Sequence, residues 1–504
     1  MSTQTSAEQS LVDGVRKQLF IGGEWRDAAE GGTLSVEDPA TGESLCEVAD
    51  GQPEDALTAL EAASKIQADW AKHAPRQRGE ILRCAFEMIT EQIDDLALLM
   101  TLEMGKPIAD SKAEITYAAE FFRWYSEQAV RIDGRYTVSP DGNQRVLTTK
   151  QPVGPCLMIT PWNFPLAMGT RKIGPAVAAG CTMIMKPAKQ TPLSMLKLAQ
   201  ILEEAGLPGG VLNIITASSS SDVVAPIISN PRLRKLTFTG STPVGRQLME
   251  QASDNLLRVS MELGGNAPFL IFEDADVNEA VAGAVVAKMR NIGEACTAAN
   301  RFHVAGSIAD EFAEKLAEKM GQMKIARGTE EGAEVGPLID GDQLGKVTNL
   351  VNDAREKGAK VLVGAEKMDG QGYFYKPTVL GDVPKEAEMR HEEIFGPVAP
   401  VYSFDSEEEA VAAANDTEYG LVSYVYTNNF KRALRVVEGL ETGMVGLNQG
   451  MVSNAAAPFG GVKQSGFGRE GGYEGIEEYL ETKYVAINLP AEAPRFSGET
   501  SSIQ

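Results

Sequence analysis

Apolar residues recur at spacings of three and four between Pro53 and Ile132, which predicts helices over Asp55–Lys72, Gln77–Met104 and Asp110–Ile132, with Pro75 and Pro107 as punctuation. Ahead of this block, Leu19–Trp25 reads as a short strand entering a turn, and Pro39-Ala40-Thr41-Gly42 as another turn. From Val153 the period changes. Strands over Val153–Ile159, Thr182–Met185, Val211–Ile215 and Lys235–Phe238 alternate with helices over Phe164–Ala179, Pro192–Ala205, Ser221–Ser229 and Pro243–Ala252. That succession predicts a parallel sheet with helices on both faces, in which ligands gather at the carboxyl ends of the strands. A second α/β unit follows from about Glu273 to His391, and its acidic opening, Glu273-Asp274-Ala275-Asp276, is suited to cap a helix over Val277–Met289. Arg145–Gln151 is β-branched at Val146, Thr148 and Thr149 and otherwise mostly polar, as an exposed strand would be, with Lys483–Asn488 as a candidate partner. Polar ends, residues 1–14 and 491–504, are expected to be mobile.

At 504 residues the chain exceeds one ordinary core, so two or three domains are expected, and its apolar and charged fractions of 43% and 23% are those of a soluble globular protein. A net charge of −23 and a pI near 4.7 argue against nucleic acid or an anionic membrane as partner. An anionic ligand must therefore be held by local cations. The first residues lack a basic segment followed by an apolar one, no apolar run is long enough to span a bilayer, and five scattered Cys without metal-ligand spacing fit a reducing compartment; the expectation is a cytoplasmic protein with no metal site.

Cys296, in the small-residue loop Gly293-Glu294-Ala295-Cys296-Thr297-Ala298-Ala299-Asn300-Arg301, is the candidate nucleophile; Cys46, Cys84, Cys156 and Cys181 fall in stretches read as loop, helix, strand and helix end, where a Cys is usually a small core residue. A thiol needs a base or a positive field to supply thiolate. Only three His exist, at 73, 303 and 391, none suited to a Cys/His pair. Glu262 fits better, at the end of the strand-like Leu256–Met261 and followed by Gly264-Gly265, which let backbone approach closely; an ordinary exposed acid beside a turn is the plain alternative. Gly466-Phe467-Gly468-Arg469-Glu470-Gly471 has the outline of a dinucleotide fingerprint but no strand leads into it. Thr239-Gly240-Ser241-Thr242-Pro243-Val244-Gly245 has the strand, turn and helix that such a site needs, with backbone N–H groups and the Ser241 and Thr242 hydroxyls available to a phosphate. An unliganded helix cap is the alternative there. Lys186-Pro187-Ala188-Lys189 sets two ammonium groups at the end of the neighbouring strand.

Glu262-Leu263-Gly264-Gly265, the Cys296 loop, Pro161-Trp162-Asn163-Phe164-Pro165, Phe238–Gly245, Glu393-Ile394-Phe395-Gly396-Pro397 and Pro458-Phe459-Gly460-Gly461 stand in the order and at the spacing of the aldehyde dehydrogenase superfamily, which the chain resembles over nearly its whole length. The resemblance implies two doubly wound α/β domains, one binding cofactor (residues 15–135 and 153–263) and one catalytic (264–480), plus a small β oligomerisation flap (136–152 and 481–490) that makes a homodimer or homotetramer.

It implies that Cys296 adds to an aldehyde, that Asn163 and the Cys296 N–H hold the oxyanion, and that Glu262 activates water to hydrolyse the thioester; relatives that transfer the acyl group to coenzyme A typically lack this base. Lys172 and Glu470 match residues of a proton relay, a structural ion pair being the alternative. Trp162, Lys186, Gly240, Ser241, Leu263, Glu393 and Phe395 match cofactor contacts. Many NAD-using relatives carry a Glu where Lys189 stands, so NADP is expected over NAD, with NAD also possible. Arg171 and Arg290 match positions where succinate-semialdehyde dehydrogenases carry Arg, and Ser453 resembles a third contact; an Arg fork suits a carboxylate. Succinate semialdehyde is thus the expected substrate, and glutarate semialdehyde or a broader range of aldehydes the competitor. Thr297-Ala298 departs from many of those relatives, which have a second Cys two positions after the nucleophile, so a disulfide switch between neighbours has no partner here. A non-catalytic relative would have lost Cys296, Glu262 or Asn163, and none is lost. A Cys esterase that uses no cofactor is a further alternative.

Overall fold

The computed structural model describes residues 5–488. Its larger sheet runs, edge to edge, through Gly466–Phe467, Arg258–Glu262, Lys235–Thr239, Cys156–Ile159, Met183–Lys186, Leu212–Ile214, Leu19–Ile21 and Glu24–Arg26. The middle five strands are parallel. All residues of Lys235–Thr239, Cys156–Ile159 and Met183–Lys186 are buried, as expected of strands covered by helices on both faces. From Cys156–Ile159 the chain adds two strands on one side and then returns to add Lys235–Thr239 on the other. The order therefore reverses between Ile159 and Thr239, and the crevice at their carboxyl ends receives Pro161–Asn163 from one strand and Gly240-Ser241 from the other.

The second sheet has the order Lys360–Val363, Thr378–Gly381, Val398–Phe404, Ala299–Ala305, Ala267–Ile271, Val422–Tyr426, Met444–Leu447, all parallel except the first. Cys296 lies just before Ala299–Ala305, at the amino end of that strand. The expected helix Val277–Met289 forms with those bounds, capped by Asp276 Oδ1, which accepts from the N–H groups of Asn278 (2.8 Å) and Glu279 (3.1 Å). Leu480–Asn488 pairs antiparallel with Gln144–Pro152, which pairs with Arg135–Val138, into a solvent-facing three-stranded sheet. Gly466–Phe467 joins the first sheet by pairing antiparallel with Met261–Glu262.

Several expectations need correction. Gln77–Met104 is two helices, Pro75–Glu91 and Ile93–Met104, broken at Gln92; Asp94 and Asp95 then sit in the first turn of the new helix, where its dipole favours them. Cys46 lies in the strand Glu43–Ala49 rather than a loop. The polar start forms the helix Ser6–Asp13, closed by a reciprocal cap between Thr5 and Glu8 and anchored by Val12 in the core. Arg327 fixes it, giving Nη1 to Glu8 (3.1 Å) and Nη2 to Asp38 (2.9 Å). The expected tail, 491–504, falls outside the described residues. Among those described, no helix is long and apolar enough to cross a membrane.

Arg327→Ala leaves the buried Asp38 and Glu8 without their cation and is expected to cost about 1–3 kcal/mol, the penalty of an unsatisfied buried group. Denaturant melts would report it as a lower midpoint at constant slope. An unshifted midpoint would mean that the helix Ser6–Asp13 is held by Val12 alone.

Candidate active site

A cleft of about 200 Å³ opens at the crevice of the first sheet, lined by Pro161, Trp162, Asn163, Gly240, Ser241, Glu262, Cys296, Glu393 and Phe395 among others. Residues more than 100 positions apart thus meet where the strand order reverses. The Cys296 loop enters through three successive left-handed residues, Asn291 (φ 53°), Ile292 (φ 62°) and Gly293 (φ 79°). A β-branched residue in that region is strained, and strain persists only where the surroundings over-determine it.

Those surroundings are polar and densely hydrogen-bonded. Asn291 N–H donates to Asp110 Oδ2 (2.9 Å), and its side-chain amide donates to the carbonyls of Asn163 (3.0 Å) and Glu294 (2.9 Å). Asn163 Nδ2 also donates to Glu294 O (3.0 Å), while Asn163 Oδ1 accepts from Phe164 N–H (3.1 Å), so one amide proton of Asn163 remains for the cleft. Buried Lys106 donates to Asn163 O (2.8 Å) and pairs with Glu114, whose other oxygen accepts from the N–H groups of Leu166 and Ala167 at the start of the helix Ala167–Ala179. Gly265 packs so tightly on the loop that a Cβ there would lie 2.3 Å from Cys296 O.

Glu262, at the end of its strand, is 4% exposed, and neither carboxylate oxygen accepts a hydrogen bond from a side chain or backbone N–H. Arg171 Nη2 stands 3.6 Å from its Oε2, and Arg171 Nε also pairs with Glu470, which pairs in turn with Lys172. Lys172 Nζ donates to Thr239 Oγ1 (2.7 Å). Burial lifts the Glu262 carboxyl above its ordinary range, against the pull of Arg171. Burial would lift Glu470 too, but Arg171 and Lys172 outweigh it and hold that carboxyl low. Burial first, and the Glu262 charge second, push the Cys296 thiol well up, with Arg171 opposing. Two cations and two carboxylates balance, leaving no surplus charge for a resting thiolate. Protonation of the Cys296 thiol and of the Glu262 carboxyl is therefore linked, since a charge on either opposes a charge on the other.

The same cleft brings together most of the residues that match cofactor contacts. Trp162 meets Phe395 edge-on at 5.3 Å, and Phe395, at φ 56°, is held by Gln343 Nε2 donating to its carbonyl (2.6 Å). Glu393 Oε1 accepts from Gly265 N–H (3.0 Å); burial pushes this carboxyl up to about 7. Ser241 caps the helix Thr242–Ser253 without spending its hydroxyl on it, which leaves that group free at a helix N-terminus. The Thr242 hydroxyl, expected to share this task, instead donates to Gln464 O (3.1 Å) from a buried position. Lys186 and Lys189 do not line this cleft; they sit at the end of the adjoining strand. Lys186 is buried, donates to Ser220 Oγ (2.6 Å) and faces no carboxylate, and its ammonium is pushed down to about 8 by burial and by the neighbouring Lys189 charge. A pair of cations without a counter-ion fits the phosphate of a dinucleotide.

Arg290 lies across the catalytic loop, its guanidinium 4.9 Å from the Phe164 ring and Nη1 donating to Ser453 Oγ (2.8 Å). Arg290 and Ser453 thus meet as expected, whereas Arg171 is spent largely on the two carboxylates. Sequence reasoning missed Lys106, Glu114, Asn291 and Gln343. The turn Gly105-Lys106-Pro107 was a visible helix stop, but nothing in it announced a partner 57 residues on.

A profile of the aldehyde dehydrogenase family matches residues 25–485. The chain is 57% identical over 448 residues to a succinate-semialdehyde dehydrogenase of Paenarthrobacter nicotinovorans, covering 89% of this chain and 100% of that protein. It is 50% identical over 474 residues to a glutarate-semialdehyde dehydrogenase of Pseudomonas putida, covering 94% and 98%. A crystal structure of an E. coli NADP-dependent enzyme matches with a TM-score of 0.93 at 48% identity, covering 94% of this chain and 98% of that one.

Cys296→Ala is expected to abolish aldehyde turnover while leaving dinucleotide binding within a few-fold. Glu262→Gln should slow the hydrolytic step by about 10²–10⁴-fold, the usual worth of a general base, and let thioester accumulate. Mass spectrometry of the quenched protein detects the adduct. Unaltered turnover in either variant would move that role elsewhere.

Proposed function

This chain belongs to the aldehyde dehydrogenase family, and from that premise we propose that it oxidises succinate semialdehyde to succinate with NADP as the preferred cofactor. The observation that carries the substrate reading is the meeting of Arg290 and Ser453 beside the Cys296 loop, on the side away from the nucleotide cleft. The similar enzymes of Paenarthrobacter nicotinovorans and Pseudomonas putida are named for succinate and glutarate semialdehyde, which supports an aldehyde with a distal carboxylate. One methylene in an apolar contact is worth only about 1–3 kcal/mol, so both lengths belong in the assay.

Cys296 thiolate adds to the carbonyl as Glu262 accepts the thiol proton. The remaining amide proton of Asn163 and the Cys296 N–H hold the oxyanion. A bound nicotinamide supplies the hydride acceptor that the oxidation requires. Glu262 then takes a proton from the water that cleaves the thioester, and Lys172 and Glu470 lead it outward. Trp162, Leu263, Glu393 and Phe395 frame the nicotinamide half of the cofactor, Gly240 and Ser241 its pyrophosphate, and Lys186 and Lys189 the 2′-phosphate. The exposed flap, with Tyr136, Val138, Tyr484 and Val485 on its surface, supports assembly into a homodimer or homotetramer.

Lys189→Glu is expected to lower kcat/KM for NADP by about 10- to 100-fold, from loss of a charge-assisted contact worth about 1.5–3 kcal/mol, and to raise that for NAD. Lys186 adds a pH signature. Below about 8 it is protonated and binds phosphate; as pH rises through that value the free protein loses the charge, so NADP affinity should fall while NAD affinity stays level. Wild-type preference for NAD would refute the reading of both lysines.

Arg290→Ala is the clean test of the carboxylate reading. It should cost about 10- to 100-fold in kcat/KM for succinate semialdehyde and far less for butanal. Arg171→Ala, by contrast, should depress both substrates, because it also releases Glu262 and Glu470. Equal losses on both aldehydes for Arg290→Ala would point to a broad-specificity enzyme.

A further inference from the structure

Tyr117 stands on the helix Ile108–Gln128, and no motif in the sequence singles it out. Its hydroxyl oxygen is buried with the Arg171 guanidinium as a donor beside it, and its own proton has no acceptor among the described residues, a state that folded proteins seldom leave unexplained. The ring itself is fixed, packed edge-on against Phe121 with centroids 4.8 Å apart and with the Arg290 guanidinium 5.9 Å from its centroid. It borders a separate cleft of about 450 Å³, shared with Trp124, Ser453 and Asn454 and with the charged Glu120, Arg123 and Glu127. Ser453 is the hydroxyl to which Arg290 donates, so the guanidinium touches two residues of that wall, the serine and the phenol ring.

The charges of Arg171 and Arg290 both act on the phenol, as does the more distant Glu470. Burial outweighs the arginines and lifts its pKa, so the group keeps its proton at neutral pH and is a donor only in want of an acceptor. The Arg290 guanidinium, in contact with Ser453, and an O–H without an acceptor lie together, an arrangement that suits an anion, whereas Arg171 is already paired with Glu262 and Glu470. A neutral donor adds something that a third cation would not: it fixes the position of one oxygen without adding charge beside Glu262.

We propose that Tyr117 Oη donates a hydrogen bond to the distal carboxylate of the aldehyde, so that Tyr117, Arg290 and Ser453 together select acidic over neutral substrates. The inference rests on the carboxylate reading given above. Recognition of this kind rejects a neutral analogue because the buried donors are then left unpaired.

The test is Tyr117→Phe, which removes one oxygen and keeps the ring against Phe121. Succinate semialdehyde and butanal are compared in wild type and variant, with thermal melting as a control on the fold. The expected result is a roughly tenfold loss of kcat/KM for succinate semialdehyde, carried by KM with kcat nearly unchanged, and no loss for butanal. Succinate, titrated by calorimetry into Cys296→Ala and into Cys296→Ala/Tyr117→Phe, should bind more weakly to the second by a similar factor. A wild-type preference for succinate semialdehyde that survives Tyr117→Phe intact overturns the assignment of Tyr117 alone, as does an equal loss on both aldehydes. A wild type that takes butanal as readily as succinate semialdehyde overturns the carboxylate reading, and Tyr117 with it.

Discussion

The buried guanidinium of Arg171 is the charge on which the chemistry of this protein depends. Two carboxylates, Glu262 and Glu470, and a second cation, Lys172, share its surroundings, all of them buried. Isolated, any one of them would be driven to its neutral form, because burying an unpaired charge costs far more than the folded state can spare. Together they sum to zero. Glu470, pressed by both cations, stays ionised, while Glu262, touched by Arg171 at a longer distance, keeps an elevated affinity for protons. One set of four side chains thus pushes two acids in opposite directions, by geometry rather than by residue type.

The mechanical frame around that cluster is just as dependent on contacts between remote segments. The left-handed entry to the Cys296 loop is braced by Asn291, Asn163 and Lys106, whose side chains converge on the carbonyls of Asn163 and Glu294. Gly265 then brings the first sheet hard against that loop. Cys296 comes from one α/β unit and Glu262 from the end of a strand in the other, so the distance between them is set by how the two sheets pack.

Much of this was legible in the sequence. The alternation from Val153 to Ala252 named the parallel strands, and the helix Val277–Met289 with its Asp276 cap was exact, because period and cap are local properties. Cys296, Glu262, Asn163, Glu393 and Phe395 meet in one cleft, which the resemblance implied and residue chemistry alone left open. What escaped was non-local. The break at Gln92 is made by two helices packing differently, and the helix Ser6–Asp13 depends on an arginine more than 300 positions away. Thr242 has the look of a phosphate ligand until Gln464, from a distant loop, claims its hydroxyl. Tyr117 has no signature at all, since an aromatic at helical spacing reads as core until its hydroxyl proton is found without an acceptor.

The nucleotide cleft and the cleft beside Tyr117 share no lining residue, and Cys296 lines the first but not the second. The walls of each can therefore be altered by substitution without rebuilding the other.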